Sequence, residues 1–121
     1  MGKKILIADD AAYMRMTIKN ILTKSGYEIV GEAESGEDVL KKYDELKPDL
    51  ITLDIVMIGK GGMDTLKELM VKDPNVNVLM VSAMGQQALI VEAIKNGAKG
   101  FILKPFKEEA LAGEIKRILK E

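Results

Sequence analysis

The chain has no cysteine, no histidine and no tryptophan among its 121 residues, and only three prolines. Without cysteine there is no disulfide or thiolate chemistry, and without histidine the usual zinc sites and serine–histidine hydrolytic pairs lose their ligands and bases. Chemistry is left to carboxylates, hydroxyls and lysines. An excess of one charge is also lacking. The 18 basic and 19 acidic side chains leave a formal net charge of −1, so nothing attracts nucleic acid or an anionic membrane surface in general. No apolar run approaches the ~18 residues that cross a bilayer. The opening run from Met1 to Ala8 meets Asp9 and Asp10 too early for a secretion signal. A cytoplasmic protein is expected, with neither nucleic acid nor membrane as partner, and the missing cysteines agree with a reducing compartment.

What is present is a core-forming composition, 47% hydrophobic. A chain of this length buries roughly two-thirds of its unfolded surface and needs no structural metal. One domain spanning 1–121 is expected, without repeat, linker or low-complexity segment. Short apolar runs alternate with helical patterns, the signature of a parallel sheet with crossover helices. The spacing predicts strands over Lys4–Ala8, Glu28–Glu32, Leu50–Leu53, Val78–Val81 and Gly100–Leu103. The central runs are continuously Val, Ile, Leu and Met, as strands covered on both faces should be.

Helical stripes fill the gaps. Met14, Ile18, Ile21 and Leu22 lie at i, i+4, i+7 and i+8, with Gly26 placed for a left-handed cap. A second helix opens at Ser35-Gly36-Glu37-Asp38, close to a capping box, carries Val39, Leu40 and Tyr43, and ends at Lys47-Pro48-Asp49. A third runs from about Met63 to Val71. The fourth begins near Gln87, is expected to turn Val91 and Ile94 inward, and closes at Asn96-Gly97. The fifth carries Leu111, Ile115, Ile118 and Leu119. Right-handed crossovers then give an α/β, doubly wound (βα)5 sheet. Five strands favour the flavodoxin-like order 2-1-3-4-5 over the other common order.

In such sheets ligands sit beyond the carboxyl ends of the strands. The first predicted strand is followed by Asp9-Asp10, the third by Asp54, the fourth by Ser82 and the fifth by Lys104-Pro105. Three carboxylates in one crevice repel, each pair at ~4 Å by a few kcal/mol at an effective dielectric of ~20. A divalent ion relieves this, and oxygen-only ligands select a hard one, Mg²⁺. Asp10 and Asp54 are the expected direct ligands, Asp9 acts through water, and the backbone carbonyl of Val56 is a further candidate. An aspartate beside such an ion can accept a phosphoryl group. Asp54 is the central one, with Lys104 as the fixed cation and the Ser82 hydroxyl as donor to the moving oxygens. Taken singly, each residue has an ordinary explanation, as helix cap, turn residue or solvated strand end. Their joint occurrence in this order is what points to a site.

Asp9-Asp10, Asp54, Ser82-Ala83 and Lys104-Pro105, spread over the whole chain, resemble the receiver domain of two-component response regulators. The stretches Ile7–Met16 and Ser82–Gln87 resemble more particularly the single-domain chemotaxis members. The resemblance implies a signalling domain rather than an enzyme, phosphorylated from a phosphohistidine on a histidine kinase, with small acyl phosphates able to substitute. It implies a cis Lys104–Pro105 bond and a switch that couples Ser82 to Phe101. Phosphorylation would draw the hydroxyl in and reshape the face made by helix four, strand five and helix five. Since the fifth helix runs to the end of the chain, output is expected through binding a protein such as a flagellar motor switch component, by a monomer. A relay intermediate, or a regulator of a non-motility pathway, is the alternative. Apart from the family, Phe101 reads as a plain core or edge aromatic.

One departure stands out. After Asp54-Ile55-Val56-Met57 the family usually has proline, whereas this chain has Ile58-Gly59-Lys60-Gly61-Gly62, which should make the loop more mobile. The glycines and lysine do not make a nucleotide loop, because the Gly-Lys-Ser/Thr ending is missing. A flavin carrier would need a hydroxyl-rich loop where two acids stand, and a Mg²⁺ phosphatase usually has a second acid where Val56 stands.

Overall fold

The computed structural model of the chain describes residues 2–121, so of the opening run only Met1 lies outside it. Ten elements alternate: β1 (Lys4–Ala8), α1 (Ala12–Lys24), β2 (Glu28–Ala33), α2 (Gly36–Leu46), β3 (Leu50–Asp54), α3 (Gly62–Lys72), β4 (Val78–Ala83), α4 (Gln87–Lys95), β5 (Gly100–Lys104) and α5 (Glu108–Leu119). The strands form one sheet in the order β2-β1-β3-β4-β5, and every pairing is parallel. This is the flavodoxin-like order expected from the sequence. Among the described residues no helix is long and apolar enough to cross a membrane.

Side-chain alternation splits the core into two layers. Leu6, Ala8, Ile51, Leu53, Val78 and Met80 face one way, onto Val39 of α2, Leu66 and Leu69 of α3, and Ile90 and Ala93 of α4. Ile5, Ile7, Leu50, Leu79, Val81 and Ile102 face the other, onto Ile18, Ile21 and Leu22 of α1 and Leu111, Ile115 and Ile118 of α5. The helical stripes read from the sequence are thus the buried ones in α1 and α5. In α4 they are not. Val91 and Ile94 were expected inward but are exposed, and Ile90 and Ala93 are buried instead. From Ala88 to Ile94 only Glu92 is polar, so periodicity could not choose the inward face; packing against α3 and β4 does.

Helix ends follow local chemistry. Ser35 Oγ accepts the Asp38 N–H at 3.2 Å and caps α2. After α1, Gly26 has φ +93°, the Tyr27 N–H donates to Leu22 O at 3.0 Å, and the Gly26 N–H donates to Thr23 O at 3.1 Å. These are the two bonds of a Schellman motif. The same pair closes α4, with Gly97 at φ +108°, Ala98 N–H to Ala93 O at 3.0 Å and Gly97 N–H to Ile94 O at 3.1 Å.

At the top of β3 the chain folds back tightly. A Cβ on Gly62 would lie 2.1 Å from Asp54 O and 2.7 Å from Ile55 Cα, both backbone atoms that cannot yield, whereas one on Gly113 meets open space. Gly62→Ala should therefore cost about 1–3 kcal/mol by overpacking. Gly113→Ala, in mid-α5, should gain up to about 1 kcal/mol of helix propensity. Opposite shifts of the urea midpoint are the expected result; equal shifts would mean that the loop above β3 relaxes.

Candidate functional site

Strand parity assembles the site. Three polar residues continue the α1/α5 face at the strand ends: Asp9 just after β1 in the series Ile5-Ile7-Asp9, Asp54 at the end of β3 in Leu50-Thr52-Asp54, and Lys104 at the end of β5 in Ile102-Lys104. Because Ala8 is in register with Leu53, the next pair along the same two strands is Asp9 beside Asp54. Lys104 comes from two strands away, reaching over Ala83, its register partner on β4. Lys104 Nζ donates to Asp9 Oδ2 at 3.2 Å and to Asp54 Oδ2 at 3.1 Å. Both acids are buried, Asp9 to 1% exposure and Asp54 to 7%.

The remaining lone pairs are used in part. Asp9 Oδ1 accepts the Ala11 N–H at 2.9 Å, a local turn bond that starts α1. Asp54 Oδ1 accepts the Val56 N–H at 3.3 Å, which sets the Val56 backbone alongside the carboxylate. Burial, and then the Asp9 charge, push the Asp54 carboxyl up to about 6, although Lys104 and the Val56 N–H pull it back. Burial lowers the pKa of the Lys104 ammonium, but Asp54 and Asp9 together outweigh that and raise it. The lysine is a permanent cation here, while Asp54 is the group whose charge is expensive.

Asp9, Asp10 and Asp54 each offer one carboxylate oxygen, all within 4.8 Å of one another. Ligand oxygens around an octahedral Mg²⁺ at ~2.1 Å stand roughly 3–4 Å apart, so the donor set suits a small hard cation in both spacing and chemistry. No histidine or cysteine is available to favour a softer ion.

Ser82 and Phe101 lie elsewhere. Ser82 has the parity of Val78 and Met80, and Phe101 is in register with Met80, so both belong to the α4 side of the sheet as diagonal neighbours. The buried Ser82 hydroxyl donates to Gln86 Oε1 at 2.8 Å, or to Ala83 O at 3.1 Å, and not to the acid cluster. Phe101 is 42% exposed and lines an apolar groove with Ile90, Val91, Ile94 and Leu103. The Lys104–Pro105 bond is cis.

Two residues in the surroundings escaped the sequence reading. Arg15 donates from Nη1 to Asp9 O at 2.6 Å and from Nε to Glu32 Oε1 at 3.0 Å, tying the two-acid turn to β2. An arginine one turn into the helix that follows two acids was the available signal. Gln86 sits between Ser82 and α4; it falls in the Ser82–Gln87 stretch that carries the resemblance, but nothing there signals its bond to Ser82. The loop after Asp54, expected to be more mobile, touches its neighbours at three points. The Gly36 N–H donates to Lys60 O at 3.1 Å, the Lys60 N–H to Glu37 Oε1 at 3.3 Å, and Lys60 Nζ pairs with Glu68.

A family model of the response regulator receiver domain matches residues 5–116. Chemotaxis protein CheY of Thermotoga maritima is 52% identical over 120 residues, which cover 99% of this chain and 100% of the relative. Protein CcdB of Bacillus subtilis is 42% identical over 116 residues, 96% of this chain and 97% of the relative. The crystal structure of the CheX–CheY–BeF3–Mg²⁺ complex from Borrelia burgdorferi aligns with a TM-score of 0.92 at 31% identity, covering 96% of this chain and 88% of that one. With the family pattern running from β1 into α5 and relatives matched over nearly their whole length, this chain belongs to the response regulator receiver domains of two-component signalling.

Proposed function

We propose that the protein is a single-domain phospho-acceptor switch that takes a phosphoryl group onto Asp54 from a histidine kinase and signals by binding another protein, in chemotaxis. The convergence of Asp9, Asp10 and Asp54, with Lys104 Nζ within 3.2 Å of two of them, carries this reading. A carboxylate oxygen of Asp54 attacks phosphorus, and the P–N bond of the phosphohistidine breaks with its electron pair on the imidazole. With a small acyl phosphate the P–O bond breaks instead. At neutral pH a carboxyl with a pKa of about 6 is mostly ionised and able to attack.

Asp10 and Asp54 would hold Mg²⁺ directly, with the Val56 carbonyl as a further ligand and Asp9 through water. The ion, when bound, neutralises charge on the acids and on the transferred group. Lys104 then has a phosphoryl oxygen as a new partner, and Ser82 supplies a hydroxyl proton to another. The protein turns over no external substrate; it speeds only its own phosphorylation and dephosphorylation. Ser82 and Phe101, neighbours on the α4 side, would carry the change to the exposed groove along α4 and β5, where a motor switch component or comparable target would bind a monomeric, cytoplasmic protein. A regulator or relay in a pathway other than motility is the second reading.

Two experiments test the acceptor. Incubation with acetyl phosphate should label the parent chain only when Mg²⁺ is present and Asp54→Asn not at all, followed as a mass gain on the intact protein; labelling of Asp54→Asn would remove the assignment. Lys104→Ala should still label but no longer change target binding. The second reads stability without ion. The raised Asp54 pKa favours the protonated form, so its contribution is fully present below pH 3.8 and is lost as pH rises through about 6. In chelator at pH 7.5, Asp54→Asn should be more stable than the parent by about 1–3 kcal/mol, and the gain should vanish near pH 4. A pH-independent difference in urea melts would contradict it.

A further inference from the structure

Ser82 is fully buried, and its hydroxyl has one proton to give. That proton goes to Gln86 Oε1 at 2.8 Å or to Ala83 O at 3.1 Å. The same Gln86 oxygen also accepts the Ala83 N–H at 2.9 Å, so one carboxamide carbonyl uses both lone pairs to hold the end of β4. Gln86 is at the same time the residue that opens α4, and its backbone carbonyl accepts the Ile90 N–H at 3.1 Å. One side chain therefore joins the Ser82 hydroxyl, the last residue of β4 and the first turn of α4. A hydroxyl engaged there is not free to donate to an oxygen at Asp54.

We propose that Gln86 is the latch of the resting state. Its carboxamide oxygen holds the Ser82 hydroxyl on the α4 side of the sheet, and breaking that bond frees the hydroxyl for a phosphoryl oxygen and removes one of the two bonds by which Gln86 ties the start of α4 to the end of β4. Gln86 touches none of the reacting groups and acts through Ser82, so it is a positioning residue. The inference rests on the acceptor reading of Asp54. Ala83 is exposed, so water replaces the acceptor its N–H loses when Gln86 is changed, and the effect of such a change falls on Ser82. Removing one neutral hydrogen bond from the resting state alone shifts its equilibrium with the activated state by about two- to tenfold.

Beryllofluoride with Mg²⁺ is the probe, titrated into the full chain and followed by amide resonances of β4 and α4. Gln86→Met should bind it two- to tenfold more tightly than the parent. In a Ser82→Ala background the same Gln86 change should have no effect, because the latch has nothing left to hold. An unchanged or weaker affinity of Gln86→Met in the parent background overturns the latch. So does an equal gain in the Ser82→Ala background, which would mean that the effect bypasses the hydroxyl. If Gln86→Met does not fold, Gln86→Ala is read by the same criteria. Asp54→Asn is titrated alongside: beryllofluoride binding by that variant sinks the acceptor reading, while the Gln86 results bear on the latch alone.

Discussion

The fold at the carboxyl edge of the sheet is organised around one electrostatic conflict, two buried carboxylates set side by side on adjacent strands. Like charges at ~4 Å repel by roughly 4 kcal/mol at an effective dielectric of 20, and burial adds to the cost. Lys104 Nζ, bonded to both acids, returns part of this. The remainder shows as an Asp54 carboxyl raised to about 6. The residues around it keep the arrangement from relaxing: Arg15 holds the carbonyl of Asp9, and Gly62 lets α3 start almost against the carbonyl of Asp54. A small cation among these oxygens would relieve the conflict, and their spacing suits one.

Parity separates this conflict from the element that would report it. Asp9, Asp54 and Lys104 continue the α1/α5 face of their strands, whereas Ser82 and Phe101 continue the other. The Ser82 hydroxyl, one residue before the end of β4, is the polar group on the α4 side that lies nearest the strand end. This accounts for a polar side chain at full burial on an otherwise apolar face, satisfied for the present by Gln86. It also explains why the apolar groove of α4 and β5 shares no residue with the acid cluster.

Strand placement was legible in the sequence because each apolar run ends abruptly in a polar residue. The same rule shortened several strands: Asp54, Ser82 and Lys104 were read as the residues after β3, β4 and β5, yet each still pairs in the ladder. The acids and the lysine were legible as a set because strand order brings their ends together. Arg15 and Gln86 were not, because what each does depends on which backbone atom lies opposite, and a surface-type residue in a turn has no pattern that says so. The inward face of α4 was misread for a different reason. A helix apolar nearly all round gives no period to read, and the exposed Val91 and Ile94 belong to a surface rather than to the core.

In the loop after Asp54 a local rule and tertiary contacts act against each other. Exchanging the family's proline for Ile58 and adding glycines should enlarge the unfolded ensemble, by ~0.4–1 kcal/mol for each such position. Here the Lys60 carbonyl accepts from the first residue of α2, its N–H reaches Glu37 and its ammonium meets Glu68 on α3. Each net hydrogen bond is worth ~0.5–1.5 kcal/mol, with the exposed ones at the low end. The two effects are of the same size, so these contacts offset the added freedom of the loop. Gly36 permits this approach, since a Cβ there would lie 2.5 Å from Lys60 O. The loop after Asp54 and the start of α2 are thus joined by backbone and side-chain contacts, so a change at the N-terminus of α2 meets the loop directly.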